Sequence, residues 1–89
     1  MKTIYKYRLG VCDHQEITLP KNFETLAVKN QNGQLVLWAH VDDQEPDEKV
    51  KIRIVGTGHP FEDRQAYLYL DTVLMDTGLV WHVFRRAIP

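Results

Sequence analysis

The sequence predicts an all-β fold, a small antiparallel sandwich or partly open barrel of six to seven strands, and three observations carry that reading. Apolar and polar residues alternate with period two along most of the chain. An Asn32-Gly33 step sits between two such stretches, the preferred centre of a tight hairpin. Turn residues recur at short intervals, and no stretch has the apolar period of an amphipathic helix.

The elements follow in order. Thr3 to Leu9 reads as a first strand, with Tyr5, Tyr7 and Leu9 on one face and Ile4, Lys6 and Arg8 on the other. Glu16 to Leu19 is a short second strand closed by Pro20, which has no N–H to give to a ladder. Leu26 to Lys29 and Leu35 to Val41 flank the Asn-Gly turn. On the second of these, Leu35, Leu37, Ala39 and Val41 share one face and Val36, Trp38 and His40 the other. Asp42 to Lys49, with Asp42, Asp43, Glu45, Asp47, Glu48 and Pro46, reads as an exposed loop. Val50 to Val55 is a strand with Val50, Ile52 and Ile54 inward and Lys51 and Arg53 outward.

Gly56-Thr57-Gly58-His59-Pro60 is then a turn, and Phe61 to Ala66 a polar connector with room for one helical turn. Tyr67 to Leu74 has high β propensity, Asp76-Thr77-Gly78 turns the chain, and Leu79 to Phe84 is the last strand. The first and last strands, both alternating and both aromatic, could lie side by side, and the sequence alone does not settle strand order. The chain of 89 residues has room for one domain, residues 1–89.

Composition excludes several classes. Eleven basic against twelve acidic residues give a net charge of −1, which argues against charge-driven, non-specific nucleic-acid binding. The single cysteine, Cys12, has no partner for an intramolecular disulfide and suits a reducing cytoplasm. No apolar run approaches the roughly 20 residues of a membrane-spanning helix, and the first residues do not read as a signal peptide. His14, His40, His59 and His82 do not have metal-ligand spacing, so neither metal nor cofactor is expected.

Catalytic residues are as scarce. There is no serine, and Cys12 beside Asp13 and His14 is a poor thiol and base pair because neighbours on an extended chain point opposite ways. A non-enzymatic protein is expected. The candidate ligand loop is Gly56, Thr57, Gly58 and His59, where glycines permit a nest of backbone N–H groups for an anion and the imidazole adds a donor; Arg53 adds a charge-assisted contact. It lacks the lysine and following helix of a phosphate loop, so a tight turn with a hydrogen-bonded imidazole is the preferred account. Trp38, His40, Trp81 and Phe84 are candidate interface residues.

The pieces Tyr5-Lys6-Tyr7, Leu19-Pro20, Leu37-Trp38-Ala39, Val41-Asp42, Gly56-Thr57-Gly58-His59-Pro60 and His82-Val83-Phe84, in this order, resemble a family of short uncharacterised proteins encoded by bacteriophages and prophages. The resemblance spans nearly the whole chain and rests most on the Gly-Thr-Gly-His-Pro string. It implies a phage accessory product acting in the cytoplasm of an infected bacterium, and it carries no site residues. Together these readings lead to an expected binder of a host macromolecule, a host protein such as a defence component, through an aromatic sheet face or the acidic loop. The alternative is an oligomeric binder of a nucleotide signal, with the Gly-Thr-Gly-His loop on phosphate and Trp38 or a tyrosine on a base. A homo-oligomer is expected because both faces of Leu35 to Val41 and of Leu79 to Phe84 are largely apolar.

Overall fold

A computed structural model describes residues 1–87. Seven strands, β1 (Lys2–Leu9), β2 (His14–Pro20), β3 (Glu24–Gln31), β4 (Gln34–Asp42), β5 (Asp47–Gly56), β6 (Tyr67–Leu74) and β7 (Val80–Arg86), are joined by turns and one short 3-10 turn, Arg64–Ala66. They form two antiparallel sheets, a small one ordered β1-β4-β3 and a large one ordered β2-β5-β7-β6. The sheets pack face to face without closing, which makes the fold a sandwich.

Period-two alternation sets what faces inward. From β4 come Leu35, Leu37, Ala39 and Val41, from β5 Val50, Ile52 and Ile54, and from other strands Leu9, Leu19, Val28, Val73 and Val83. These aliphatic side chains form the core. The β3–β4 hairpin turns on Asn32 and Gly33, with φ of 54° and 84°, the left-handed pair that matches the twist of two strands. Asn30 Oδ1 accepts the Gly33 N–H at 2.8 Å and holds the turn.

One expectation is corrected. The acidic stretch is a loop over 43–46 alone: Asp47, Glu48 and Lys49 continue β5, pairing with Pro20, Leu19 and Thr18 of β2. Their backbone groups gain a ladder while their charged ends stay at the rim, so composition alone misjudged them. Strand order, which the sequence leaves open, is set by the sheets, and the first and last strands are not neighbours. β1 pairs with β4 in the small sheet, and β7 lies between β5 and β6 in the large one. Burial explains it: Val83 and Phe84 of β7 are buried on opposite faces, as an interior strand requires, whereas Lys2, Lys6 and Arg8 put charge on β1, as an edge strand tolerates.

At the seam between the sheets β3 and β6 are both bulged, β3 between Thr25 and Ala27 and β6 between Tyr69 and Asp71. A bulge bends a strand and re-aims its side chains. Here Asp71 reaches across: its Oδ2 accepts the Val28 N–H at 3.0 Å and lies 3.5 Å from Lys29 Nζ. Asn30 Nδ2 donates to Asp76 Oδ1 at 3.0 Å beside it. Side chains therefore bridge this seam in place of a backbone ladder.

Replacing Asp71 by Ala strands the Val28 N–H and is expected to lower stability by about 1–2 kcal/mol in urea unfolding, with Asp71→Asn, which keeps an acceptor, losing less. Burial, followed by the nearby Tyr5 and Asp47, raises the Tyr7 phenol above its ordinary 10.0. The folded state thus holds the proton more tightly, so its contribution is intact below pH 10.0 and is lost as pH rises through the folded value. Urea unfolding across that range should show wild type losing stability faster than Tyr7→Phe.

Candidate functional site

The outward residues of the large sheet fall into rows across the strands, because side chains directly opposite in an antiparallel pair share a face. One row runs His14, Arg53, Phe84, Tyr69 from β2 to β6. A second pairs Glu16 with Lys51 and Arg86 with Tyr67, and a third holds Val55, His82 and Thr72. The connector after β5 folds back over this face and buries Ala66 with Val55, Tyr67 and Phe84, while Phe61 packs against them.

The rings form one contiguous cluster of tilted and edge-on pairs. Phe61 is centred 4.8 Å from Phe84 and 5.7 Å from Tyr67, and Tyr69 is 5.5 Å from Phe84 at a steep angle. Three guanidinium groups lie over these rings: Arg64 over Phe84 at 4.9 Å, Arg53 over Phe61 at 5.4 Å, and Arg86 over Tyr67 at 5.6 Å. Stacking fixes the plane of each guanidinium, and Arg64 is held further by donating to the Tyr67 carbonyl at 2.9 Å. Arg53 is the most enclosed, with its side chain 14% exposed, its Nη1 donating to the Ile54 carbonyl and Asp13 3.9 Å away.

The Gly-Thr-Gly-His loop borders this cluster. His59 N–H donates to the Gly56 carbonyl at 3.0 Å, closing a β-turn with Gly58 at φ +87°, and Thr57 N–H points to the Val80 carbonyl at 3.4 Å. Two of the amides that an anion nest would use are therefore turned into the chain. Gly56 is glycine for a steric reason: a Cβ there would lie 2.9 Å from the His59 ring and 3.0 Å from Trp81 Cζ3. His59 itself is exposed, and the imidazole held in place is His82. Thr57 Oγ1 and His82 Nε2 are 2.8 Å apart, His82 Nδ1 and Thr72 Oγ1 3.1 Å, and Thr72 Oγ1 and Tyr69 Oη 2.6 Å. A shallow depression of about 280 Å³ lies among Thr57, Gly58, His59, Phe61, His82 and Phe84, and a wider one of about 480 Å³ lies on the far side of the connector, bordered by His14, Lys51, Tyr67 and Arg86.

Gly56, Thr57, Gly58 and His59 are together in the turn, while Arg53 lies one row away beneath Phe61 and does not line the loop's depression. The four interface candidates divide. Trp38 and His40 share the outer face of the small sheet, partly and fully exposed; Trp81 packs against the core, and Phe84 is buried beneath Phe61 and Arg64. Phe84 thus offers no exposed interface, because the folded-back connector covers it, whereas Trp81 is only partly buried and borders a depression beside Gly56, Thr57 and His59. The same connector covers Phe84 on the outer side of β7. Cys12 Sγ contacts the His14 carbonyl at 3.5 Å and the Gln15 amide at 3.4 Å, an arrangement with no thiol–imidazole pair in it. Among the described residues no three of His, Cys, Asp and Glu converge as metal ligands.

Phe61, Arg64, Tyr67 and Tyr69 were not among the sequence candidates. The alternation of Tyr67 and Tyr69 with Leu68 and Leu70 puts both rings on one face and was readable. The return of Phe61 and Arg64 over the sheet was not, since no local pattern encodes it. Gly58→Ala tests the turn: nothing stands within 4 Å of the added methyl, so the cost is that of a left-handed backbone alone, about 1–2 kcal/mol in urea unfolding, with Gly58→Asn losing less.

Comparison with known proteins adds the family. No curated protein and no solved structure matches the chain. One family model covers residues 1–89, and the chain belongs to that family, Domain of unknown function (DUF7352).

Proposed function

We propose that the chain is a non-enzymatic binding module that docks the outer face of its large sheet on a host macromolecule, a protein with carboxylates at its contact surface. The supporting observation is the ring cluster of Phe61, Tyr67, Tyr69 and Phe84 with Arg64 and Arg86 over it and Arg53 held beneath Phe61. Tyrosine and arginine dominate the energetics of protein interfaces, since a rigid ring and a pre-oriented guanidinium lose little entropy on binding. Tyr69 remains 52% exposed, so a large ring is presented at the surface. The acidic loop is the weaker contact surface. The Met1 ammonium lies 2.6 Å from Asp43 and 3.9 Å from Asp42, and it holds the Asp43 carboxyl below its usual range together with the Gln44 amide. Asp43 of the loop and Asp42 at the end of β4 are thereby already engaged.

The resemblance of the sequence to phage-encoded proteins gives the setting. The module is a phage accessory protein acting in the host cytoplasm, with a component of bacterial defence as the partner class.

Tagged protein produced in bacteria should retain a stoichiometric host protein. Tyr69→Ala with Arg64→Glu should weaken that complex by about a hundredfold, the effect of two interface residues of roughly 1–2 kcal/mol each. Repeated failure to recover a partner, or recovery indifferent to this double change, would sink the reading. Calorimetry against cyclic and adenine-containing nucleotides separates the competing account: binding heat that disappears in Thr57→Val and His82→Gln would move the function to the depression beside the loop.

A further inference from the structure

We propose that the outer face of the small sheet is a homodimer interface, occupied by a second copy of this chain around Trp38. The face is independent of the arginine–aromatic surface, which lies on the opposite side of the sandwich. Three rows cross it. Lys6, Trp38 and Ala27 form the middle row, flanked by Ile4, His40 and Glu24 on one side and by Arg8, Val36 and Lys29 on the other. Ile4 is 54% exposed and Leu26, at the β3 bulge, 48%, with Trp38 partly exposed between β1 and β3. The long connector that covers the large sheet has no counterpart here, since the other connections among the described residues are short turns.

Charge placement selects a second copy as the occupant. A two-fold axis along the Trp38 row, perpendicular to the strands, lays each flanking row over the other flanking row of the partner copy. Glu24 of each copy then meets Lys29 of the other, whose ammonium also lies 3.5 Å from Asp71 of its own chain, forming the same pair twice; Ile4 meets the stem of Arg8, and Trp38 meets Trp38. Such self-complementarity is what an isologous interface requires. An axis along the strands would instead set Arg8 against Lys29, like against like. The axis brings Lys6 towards Lys6, but Lys6 Nζ donates to Gln31 Oε1 at 3.1 Å, which draws its ammonium over Val36 and off the axis.

Sedimentation or light scattering at micromolar concentration tests this. Wild type is expected as a dimer of the 10.4 kDa chain, and Trp38→Glu as a folded monomer by circular dichroism. In an Asp71→Asn background, which removes the carboxylate 3.5 Å from Lys29, Glu24→Lys and Lys29→Glu should each weaken the dimer about tenfold or more, and the two together should restore it, which no loss of folding would mimic. A wild-type monomer, a dimer indifferent to Trp38→Glu, or a double exchange that fails to restore association overturns the proposal. A host protein bound through Trp38 by a monomeric chain overturns it too.

Discussion

Contact between the inner faces of β4 and β5 is the constraint on which the rest of the molecule depends. Leu35, Leu37 and Val41 oppose Val50, Ile52 and Ile54, each at most 5% exposed, and this single aliphatic layer joins the two sheets. A domain of about this size buries only a modest share of its unfolded surface, so few of these positions are dispensable. Period two then dictates the outer faces: once the aliphatic residues point inward, Lys51, Arg53, Trp38 and His40 point outward. Function is accordingly sought on the two outer faces.

Those faces are finished differently. The large sheet receives a second, smaller apolar cluster because the connector returns across it, placing Phe61 between Tyr67 and Phe84. Arginine stems and guanidinium planes complete the cover, which lets the face combine apolar packing with fixed positive charge. The small sheet has no such return and leaves Ile4, Leu26 and Trp38 at the surface. One connection of unusual length thus separates a surface completed within the chain from one suited to being completed by another copy.

The turn that launches the connector shows how geometry and composition diverge. Gly56 has no room for a side chain between His59 and Trp81, and Gly58 adopts a backbone closed to most residues. Both glycines are explained by the turn itself. The polar chain that runs from Thr57 through His82 and Thr72 to Tyr69 joins residues from β6, β7 and the turn, and it gives the loop a fixed hydroxyl beside an imidazole.

The sequence by itself determined the all-β class, the Asn32-Gly33 hairpin, the inward sets of β4 and β5, and the composition of the turn, because each is written in alternation or in the φ demands of a few adjacent residues. Partner choice was decided only in three dimensions. That β7 is an interior strand and β1 an edge follows from whether both faces find cover, a property of the packed sandwich. The bridging of β3 and β6 by Asp71 and the meeting of Phe61 with Phe84 join residues 43 and 23 positions apart. Such contacts leave no local period, since they are settled by which surfaces remain uncovered once the aliphatic layer has formed.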